Sequence, residues 1–201
     1  MRIEQFLKNL ASDTATPGGG CASALAGALA ASLIAMVAGL SLKKGKLSAA
    51  EARRIRKRAM MIQERLYRAI EEDAEGYNAV LKAFRLPKEG EKERLHRSKI
   101  IQKALERATA APQAVCEQAV RILESCKPLL AKGNPNTISD TAVAAHLANA
   151  ALEGGLLNIR INLTSIRDRS FKREKERLVR HFKKKRDRWM TGIFQVLSSF
   201  D

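Results

Sequence analysis

The sequence has 201 residues, of which 45% are apolar and 4% aromatic, and it carries a formal net charge of +16. This apolar content excludes a disordered chain, and the predominance of Ala and Leu over β-branched residues favours helices over strands. The three cysteines form no C-x-x-C pair, which excludes a zinc ribbon or a disulfide framework and fits a reducing compartment such as the cytoplasm.

Apolar periodicity, with prolines and glycines at the breaks, predicts about seven helices and no strand. The predicted helices cover residues 2–11, 20–42, 48–86, 91–110, 113–131, 139–166 and 168–198. Ser48 followed by Glu51 predicts the cap of the third helix. Ser139 or Asp140 is expected to cap the sixth. We therefore expect an all-α bundle that forms a single domain over residues 1–201, and we expect its long helices to complete their core in a homodimer.

Residues 14–42 carry no charge and are numerous enough to span a bilayer. The segment consists largely of Ala, Gly and Ser rather than Leu and Ile, and no second segment resembles it. Small residues let neighbouring helices approach closely, which suits the centre of a bundle. We therefore interpret this segment as a core helix and expect no membrane association.

Two polar residues interrupt the apolar stripe of the third helix one turn apart. The stripe recurs every three or four residues and consists of Ile55, Ala59, Ile62, Leu66, Ile70, Asp73, Tyr77, Val80 and Phe84. A carboxylate on the buried face costs several kcal/mol unless it is paired or hydrogen-bonded. Asp73 therefore either forms a salt bridge within the bundle, for example to Arg160, or lines a polar pocket, and the spacing leaves both interpretations open.

The sixth helix also has polar residues at both ends of a stripe of small ones. This stripe consists of Asp140, Ala144, Leu147, Ala151, Gly155, Asn158 and Asn162. Asp140 lies where the helix dipole stabilises an anion, so it is either a simple cap or a charged partner for a ligand. Asp140 and Asn158 are separated by about 27 Å along a straight helix. They must contact opposite ends of a long ligand or belong to sites in two subunits.

The glycine run at residues 18–20 precedes a predicted helix, whose N-terminal N–H groups can bind a carboxylate or phosphate. The run equally fits a tight turn, and it lacks the Lys-Ser/Thr ending of a P-loop. His96, His146 and His181 have no helical acid or histidine partner at ligand spacing. We therefore expect neither a nucleotide site nor a metal site.

Residues 167–188 contain twelve Lys and Arg against four acids, so this surface favours anionic partners. We expect a solvated helix without an ordered apolar side. A non-catalytic basic module that binds nucleic acid or another polyanion is the competing interpretation of the whole chain. Scarce aromatic residues and the lack of a recognised DNA-binding motif argue against nucleic acid.

Several motifs, in this order, resemble one enzyme family. They are T-P-G-G-G at residues 16–20, S-A-L-A-G-A-L at 23–29, M-V-A at 36–38, Asp73 with Tyr77, R-L-P-K at 85–88, G-N at 133–134, S-D at 139–140 and N-I-R-I-N at 158–162. Nearly end to end, the chain resembles the cyclodeaminase domain of formiminotransferase-cyclodeaminase and the related stand-alone methenyltetrahydrofolate cyclohydrolases. The segment at 41–46 matches loosely, which leaves the position of a family lysine open, and the C-terminal helix is more basic than the family pattern requires.

The resemblance implies an all-helical dimeric enzyme that acts on C–N bonds of folate one-carbon derivatives. Either 5,10-methenyltetrahydrofolate is hydrolysed to the 10-formyl form, or 5-formiminotetrahydrofolate is closed to the methenyl form with release of ammonia. Neither reaction needs a cofactor beyond tetrahydrofolate as substrate. The substrate is expected to be polyglutamylated. An assembly subunit without activity is a further possibility.

The resemblance also suggests roles for individual residues. Three catalytic residues are expected: Asp140 would stabilise the cationic substrate, Asp73, with a pKa raised by its drier surroundings, would move protons, and Tyr77 would orient the pterin or water. The expected substrate-binding residues are Gly18, Gly19, Gly20, Lys43, Lys44, Asn134, Ser139, Asn158, Arg160 and Asn162.

Overall fold

In the computed structural model, which describes residues 2–198, the chain forms seven α-helices and one short 3-10 turn. The helices are α1 (Ile3–Leu10), α2 (Gly19–Ser41), α3 (Ala49–Phe84), α4 (Glu91–Ala108), α5 (Ala110–Lys132), α6 (Ile138–Ser165) and α7 (Arg169–Leu197), and the 3-10 turn is Pro135–Thr137. The described residues contain no strand, so the all-α prediction is confirmed. The predicted domain bounds, residues 1 and 201, lie outside the described residues.

Helix ends are where the structure departs from the sequence prediction. The cap of α3 is confirmed, because Ser48 Oγ accepts the N–H of Glu51 at 3.2 Å. The predicted cap of α6 at Ser139 or Asp140 is wrong, since α6 begins earlier, at Ile138. Asn134 Oδ1 instead accepts the N–H of Asn136 and starts the 3-10 turn that leads into the helix. Ser139 and Asp140 consequently lie within the first turn of α6.

The start of α5 was also predicted too late. The helix begins at Ala110, so that Pro112 lies in its first turn, where a missing N–H costs no intrahelical hydrogen bond. Helices α4 and α5 are therefore separated by Thr109 alone, which is buried.

Helix α2 lies at the centre of the bundle and runs antiparallel to both α3 and α6. A Cβ added at Gly27 would come within 3.0 Å of Leu66 on α3 and 3.3 Å of Ala151 on α6, so glycine permits this close packing. By length and composition α2 is also the one described helix that could cross a membrane, yet half of its apolar window is buried by the rest of the chain. This burial agrees with its interpretation as a core helix.

Helix α7 has a definite apolar face, which corrects the prediction of a solvated helix without one. Val179, Phe182, Met190 and Ile193 are buried, and they recur on one side of the helix. This side packs against α5 and α6. Four apolar residues at helical spacing anchor the helix although charged residues occupy most other positions.

The glycines of the helices provide a test of this packing. A Cβ at Gly155 would lie 2.7 Å from Cys116 Sγ and 3.0 Å from the carbonyl oxygen of Pro112, whereas no atom lies within 4 Å of a Cβ at Gly192. We expect Gly155→Ala to lower the free energy of unfolding by ~1–3 kcal/mol through overpacking. Gly192→Ala, in the middle of a helix, should raise it by ~0.5–1 kcal/mol. Urea unfolding measures both, and a shift in the same direction for the two variants would contradict the packing.

Candidate active site

A cavity of about 290 Å³ lies at the N-terminal end of α2, between α3, α6 and the end of α4. It brings together the glycine run, Asp73, Tyr77, Asn158 and Asn162, all of which are predicted site residues. The complete lining is Ala15, Thr16, Gly18, Gly19, Gly20, Asp73, Tyr77, Val80, Ala108, Asn158, Ile161 and Asn162. A larger depression, of about 790 Å³, lies on the outer face of α3 but contains none of the predicted residues. The smaller cavity, with its partly buried carboxylate, is the better candidate.

The carboxylate of Asp73 rests directly on the first turn of α2. A Cβ at Gly20 would overlap both carboxylate oxygens, so only glycine allows this approach. The N-terminal N–H groups of α2, which the sequence suggested as an anion site for a ligand, thus already face an anion of the chain itself. Gly18 and Gly19 line the cavity beside it.

Cys21 provides the hydrogen bonds that Asp73 receives from α2. The thiol Sγ lies 3.4 Å from Asp73 Oδ2 and 3.3 Å from the carbonyl oxygen of Ile70. The backbone N–H of Cys21 also donates to the carboxylate. Burial raises the pKa of Asp73 above its ordinary value, and these two hydrogen bonds partly oppose the shift.

No ion pair neutralises Asp73. Among residues 2–198, no Lys, Arg or His forms a salt bridge with it. Arg160, suggested as its partner, is exposed and does not line the cavity. Of the two interpretations that the sequence left open, the structure therefore favours a carboxylate that lines a polar pocket.

The two asparagines present hydrogen-bond acceptors to the cavity. Asn158 Nδ2 donates to the carbonyl oxygen of Gly154 at 2.8 Å, and Asn162 Nδ2 donates to that of Ala108 at 3.2 Å. A carbonyl can only accept, so both amide orientations are fixed. Neither Oδ1 has a protein donor within the described residues, and each can accept a hydrogen bond from a ligand. Tyr77 is 39% exposed and lies at the mouth of the cavity.

The remaining predicted residues form a second group at the other end of α2 and α6. Asn134 donates its backbone N–H to Ser41 Oγ at 3.0 Å. The loop that carries Lys43 and Lys44 is joined to this region through Lys46 N, which lies 2.7 Å from the carbonyl oxygen of Lys132. Ser139 and Asp140 follow in the first turn of α6. None of these residues lines the Asp73 cavity, and Lys43 and Lys44 are exposed.

Some residues that line the cavity were not predicted from the sequence. Ile161 lies between Asn158 and Asn162, and it could have been found from helical spacing. Ala108 contributes a backbone carbonyl, which leaves no signal in the side-chain pattern. Cys21 is buried, as predicted for a small core residue, but its contact with Asp73 depends on the packing of α2 against α3. No three His, Cys, Asp or Glu residues in the described chain are placed to hold a metal ion.

Comparison with known proteins decides the family. The sequence model of formiminotransferase-cyclodeaminase matches residues 2–181, which is most of the chain. The chain belongs to this family. The resemblance inferred from the motifs is thereby confirmed.

Relatives within the family carry two activities in their names. The methenyltetrahydrofolate cyclohydrolase of Methylorubrum extorquens is 37% identical over 86% of this chain and 84% of its own length. The formimidoyltransferase-cyclodeaminase of Sus scrofa is 28% identical, but the match covers only 32% of that longer protein. The crystal structure of formiminotetrahydrofolate cyclodeaminase from Thermotoga maritima matches with a TM-score of 0.89 and 26% identity, over 100% of this chain and 97% of that one.

The buried carboxylate predicts a characteristic dependence of stability on pH. Because the pKa of Asp73 is raised by folding, its proton is bound more tightly in the folded chain than in the unfolded one. The resulting stabilisation is complete below the unfolded pKa of about 3.9 and is lost as the pH rises through the folded pKa. Asp73→Asn, which is neutral throughout, should therefore unfold at a higher urea concentration than the wild type at pH 7. The difference should shrink towards pH 3.

The matched control is Glu71→Gln on the same helix, where the carboxylate is exposed. It should change the urea midpoint little at either pH. A midpoint of Asp73→Asn below that of the wild type at pH 7 would contradict the assigned environment of the carboxylate.

Proposed function

We propose that the chain hydrolyses 5,10-methenyltetrahydrofolate to 10-formyltetrahydrofolate in the Asp73 cavity. The relative that supports this activity is the cyclohydrolase that matches over most of both chains at 37% identity. The structural observation that carries the proposal is a partly buried carboxylate without a cationic partner in a cavity walled by hydrogen-bond acceptors.

The substrate suits such a cavity because its N5–C–N10 bridge is a delocalised cation and its pterin ring carries several N–H donors. Water adds to the bridging carbon and loses one proton, the hydroxyl so formed gives its remaining proton to N5 as the C–N5 bond breaks, and the formyl group remains on N10. One proton is released overall. A fixed anion beside the cation and an acceptor for the proton of water are the groups that lower this barrier.

Asp73 is proposed as the proton acceptor, since burial raises its pKa towards the range in which a carboxylate is an effective base. The Oδ1 atoms of Asn158 and Asn162 would accept hydrogen bonds from the pterin. Tyr77, at the mouth, would orient the attacking water. Gly18 and Gly19 would leave room for the ring against the first turn of α2.

We further propose a homodimer that buries an apolar surface of α2 and α6. This surface, called the α2–α6 face, consists of partly or fully exposed residues without charge: Ala22, Leu25, Ala26, Leu29, Leu33, Met36 and Leu40 on α2, and Val143, Leu147, Ala150, Leu157 and Ile161 on α6. Two helices about 35 Å long and together about 20 Å wide offer on the order of 700 Å². A standard interface takes ~800 Å² from each partner, so a second copy would cover the face.

The dimer also bears on the proposed role of Asp140. In one chain Asp140 lies at the opposite end of α6 from Asn158 and does not line the Asp73 cavity. If Asp140 stabilises the substrate cation, as the family resemblance implies, it must do so from the second subunit. Asn134 and Ser139 belong to the same end and would act with it. Lys43, Lys44 and the exposed Arg160 would attract the anionic tail of a polyglutamylated substrate.

The second candidate activity is that of a formiminotetrahydrofolate cyclodeaminase, which the fold match to the Thermotoga maritima protein supports. In that reaction N10 attacks the formimino carbon and ammonia leaves, and the same carboxylate would transfer the protons. A nucleic-acid-binding module is not favoured, because the family relatives are named as folate enzymes. Three buried free thiols support a reducing compartment such as the cytoplasm.

A spectroscopic assay tests both activities. The methenyl form absorbs in the near ultraviolet, so cyclohydrolase activity lowers this absorbance, whereas cyclodeaminase activity raises it from 5-formiminotetrahydrofolate and releases ammonia. Asp73→Asn should lower turnover at least ~10-fold, because a positioned acid–base group contributes ~10²–10⁴-fold. Asp140→Asn should also lower turnover at least ~10-fold. Glu71→Gln should keep the wild-type rate. Full activity of Asp73→Asn would remove Asp73 from the chemistry.

Light scattering tests the dimer. We expect a mass of twice the 22.2 kDa of the chain at micromolar concentration. Leu29→Glu places a charge in the middle of the α2–α6 face and should give the monomer. Met61→Glu, at an exposed apolar position on α3 outside this face, should stay dimeric. A wild-type mass near that of one chain, or a dimeric Leu29→Glu variant, would contradict this assignment.

A further inference from the structure

Cys21 is the one buried thiol that contacts the candidate site. Its side chain is almost fully buried and does not line the cavity, so a bound substrate does not touch it. Its Sγ lies 3.4 Å from Asp73 Oδ2 and 3.3 Å from the carbonyl oxygen of Ile70. A thiol has a single hydrogen to donate. Two acceptors at nearly equal distance therefore compete for one S–H.

We propose that Cys21 is a positioning residue for Asp73: its S–H holds the ionised carboxylate in place and turns to the carbonyl oxygen of Ile70 when the carboxylate is protonated. The proposal rests on the proposed function for the role of Asp73 in turnover. The contact itself is independent of it. No bond is made or broken by the thiol, which remains protonated throughout. Burial raises the pKa of Cys21 to about 11, so the donor hydrogen is present at neutral pH.

Few other groups around Asp73 could hold its ionised carboxylate in place. On α3, the helix that carries Asp73, Tyr77 is the titratable neighbour that lines the cavity. Helix α6 contributes the uncharged Asn158 and Asn162. The charged side chains of Glu72, Glu75 and Arg107 line a different cavity, between α3, α4 and α5. Within residues 2–198, the hydrogen bonds to Asp73 come from Cys21 alone, through Sγ and the backbone N–H. Of these two donors of Cys21, the S–H is the one that a substitution can remove.

The chemical consequence follows from which form of Asp73 the thiol favours. A donor bound to the carboxylate stabilises the ionised form, so loss of the donor raises the pKa of Asp73 further. In the proposed reaction the ionised form accepts the proton of water. The acidic limb of the pH profile of kcat/KM should therefore move to higher pH when the donor is lost.

Three variants separate this role from simple core packing. Cys21→Ala removes the donor, and Cys21→Ser retains one. Cys116→Ala makes the same truncation at a buried thiol, on α5, that contacts Leu152 and not the cavity. Below the acidic limb we expect Cys21→Ala to lose ~2–10-fold in kcat/KM, as for one hydrogen bond. Above the limb it should match the wild type. Cys21→Ser should restore the profile, and Cys116→Ala should leave it unchanged.

A second readout does not require activity. The carboxyl carbon of Asp73, labelled with ¹³C, is titrated by NMR in the wild type and in Cys21→Ala, and we expect a higher midpoint in the variant. If the wild type turns over neither folate substrate, the proposed function fails while this titration still tests the contact. If Cys21→Ala does not fold, Cys21→Val takes its place, because it fills the space without a donor. An unchanged midpoint, or a Cys21→Ser variant that behaves like Cys21→Ala, would overturn the proposal.

Discussion

The approach of the Asp73 carboxylate to the backbone at Gly20 is the constraint on which the site depends. It requires a residue without a Cβ at this position of α2, and it requires α3 to run antiparallel to α2 in one register. That register is maintained further along, where Gly27 admits Leu66. The small residues that make α2 resemble a membrane span thus have a packing function. They bring a carboxylate from one helix onto the first turn of another.

The same arrangement lowers the stability of the fold at the position where the proposed function needs a carboxylate. A carboxylate without a cationic partner is costly to bury, and the hydrogen bonds from Cys21 recover only part of that cost. The rest of the bundle compensates through a continuous core that joins α2, α3, α5 and α6. Strain or desolvation of this kind is tolerated in proteins mostly where a ligand or a reaction needs it. A carboxylate whose burial is only partly compensated thus lines the candidate site.

Periodicity within a helix could be predicted from the sequence, whereas the relation between helices could not. The stripe of α3 indicated that Asp73 and Tyr77 are exceptional, and the structure places both at one cavity. Asp140 interrupts a similar stripe on α6 but lies at the other end of the bundle. No pattern in a single helix encodes which ends meet. The start of α6 was not predicted correctly because Asn134 acts four residues before the helix, through a 3-10 turn. The apolar face of α7 was missed because its four anchors are surrounded by Lys and Arg.

The acceptor-rich cavity also suggests how charge and protonation would be coupled in the proposed reaction. Burial raises the pKa of Asp73 and so shifts its equilibrium towards the protonated form. A cationic substrate a few ångströms away favours the ionised form, because opposite charges lower the pKa of a carboxyl group. Binding would therefore generate the base at the moment when water is to be activated. Hydrolysis would remove the positive charge of the bridge, so the pKa of Asp73 would rise again just as the proton of water needs an acceptor. In the proposed reaction the carboxylate would therefore need no cationic partner from the chain, since the substrate would supply one for the part of the cycle in which the base is required.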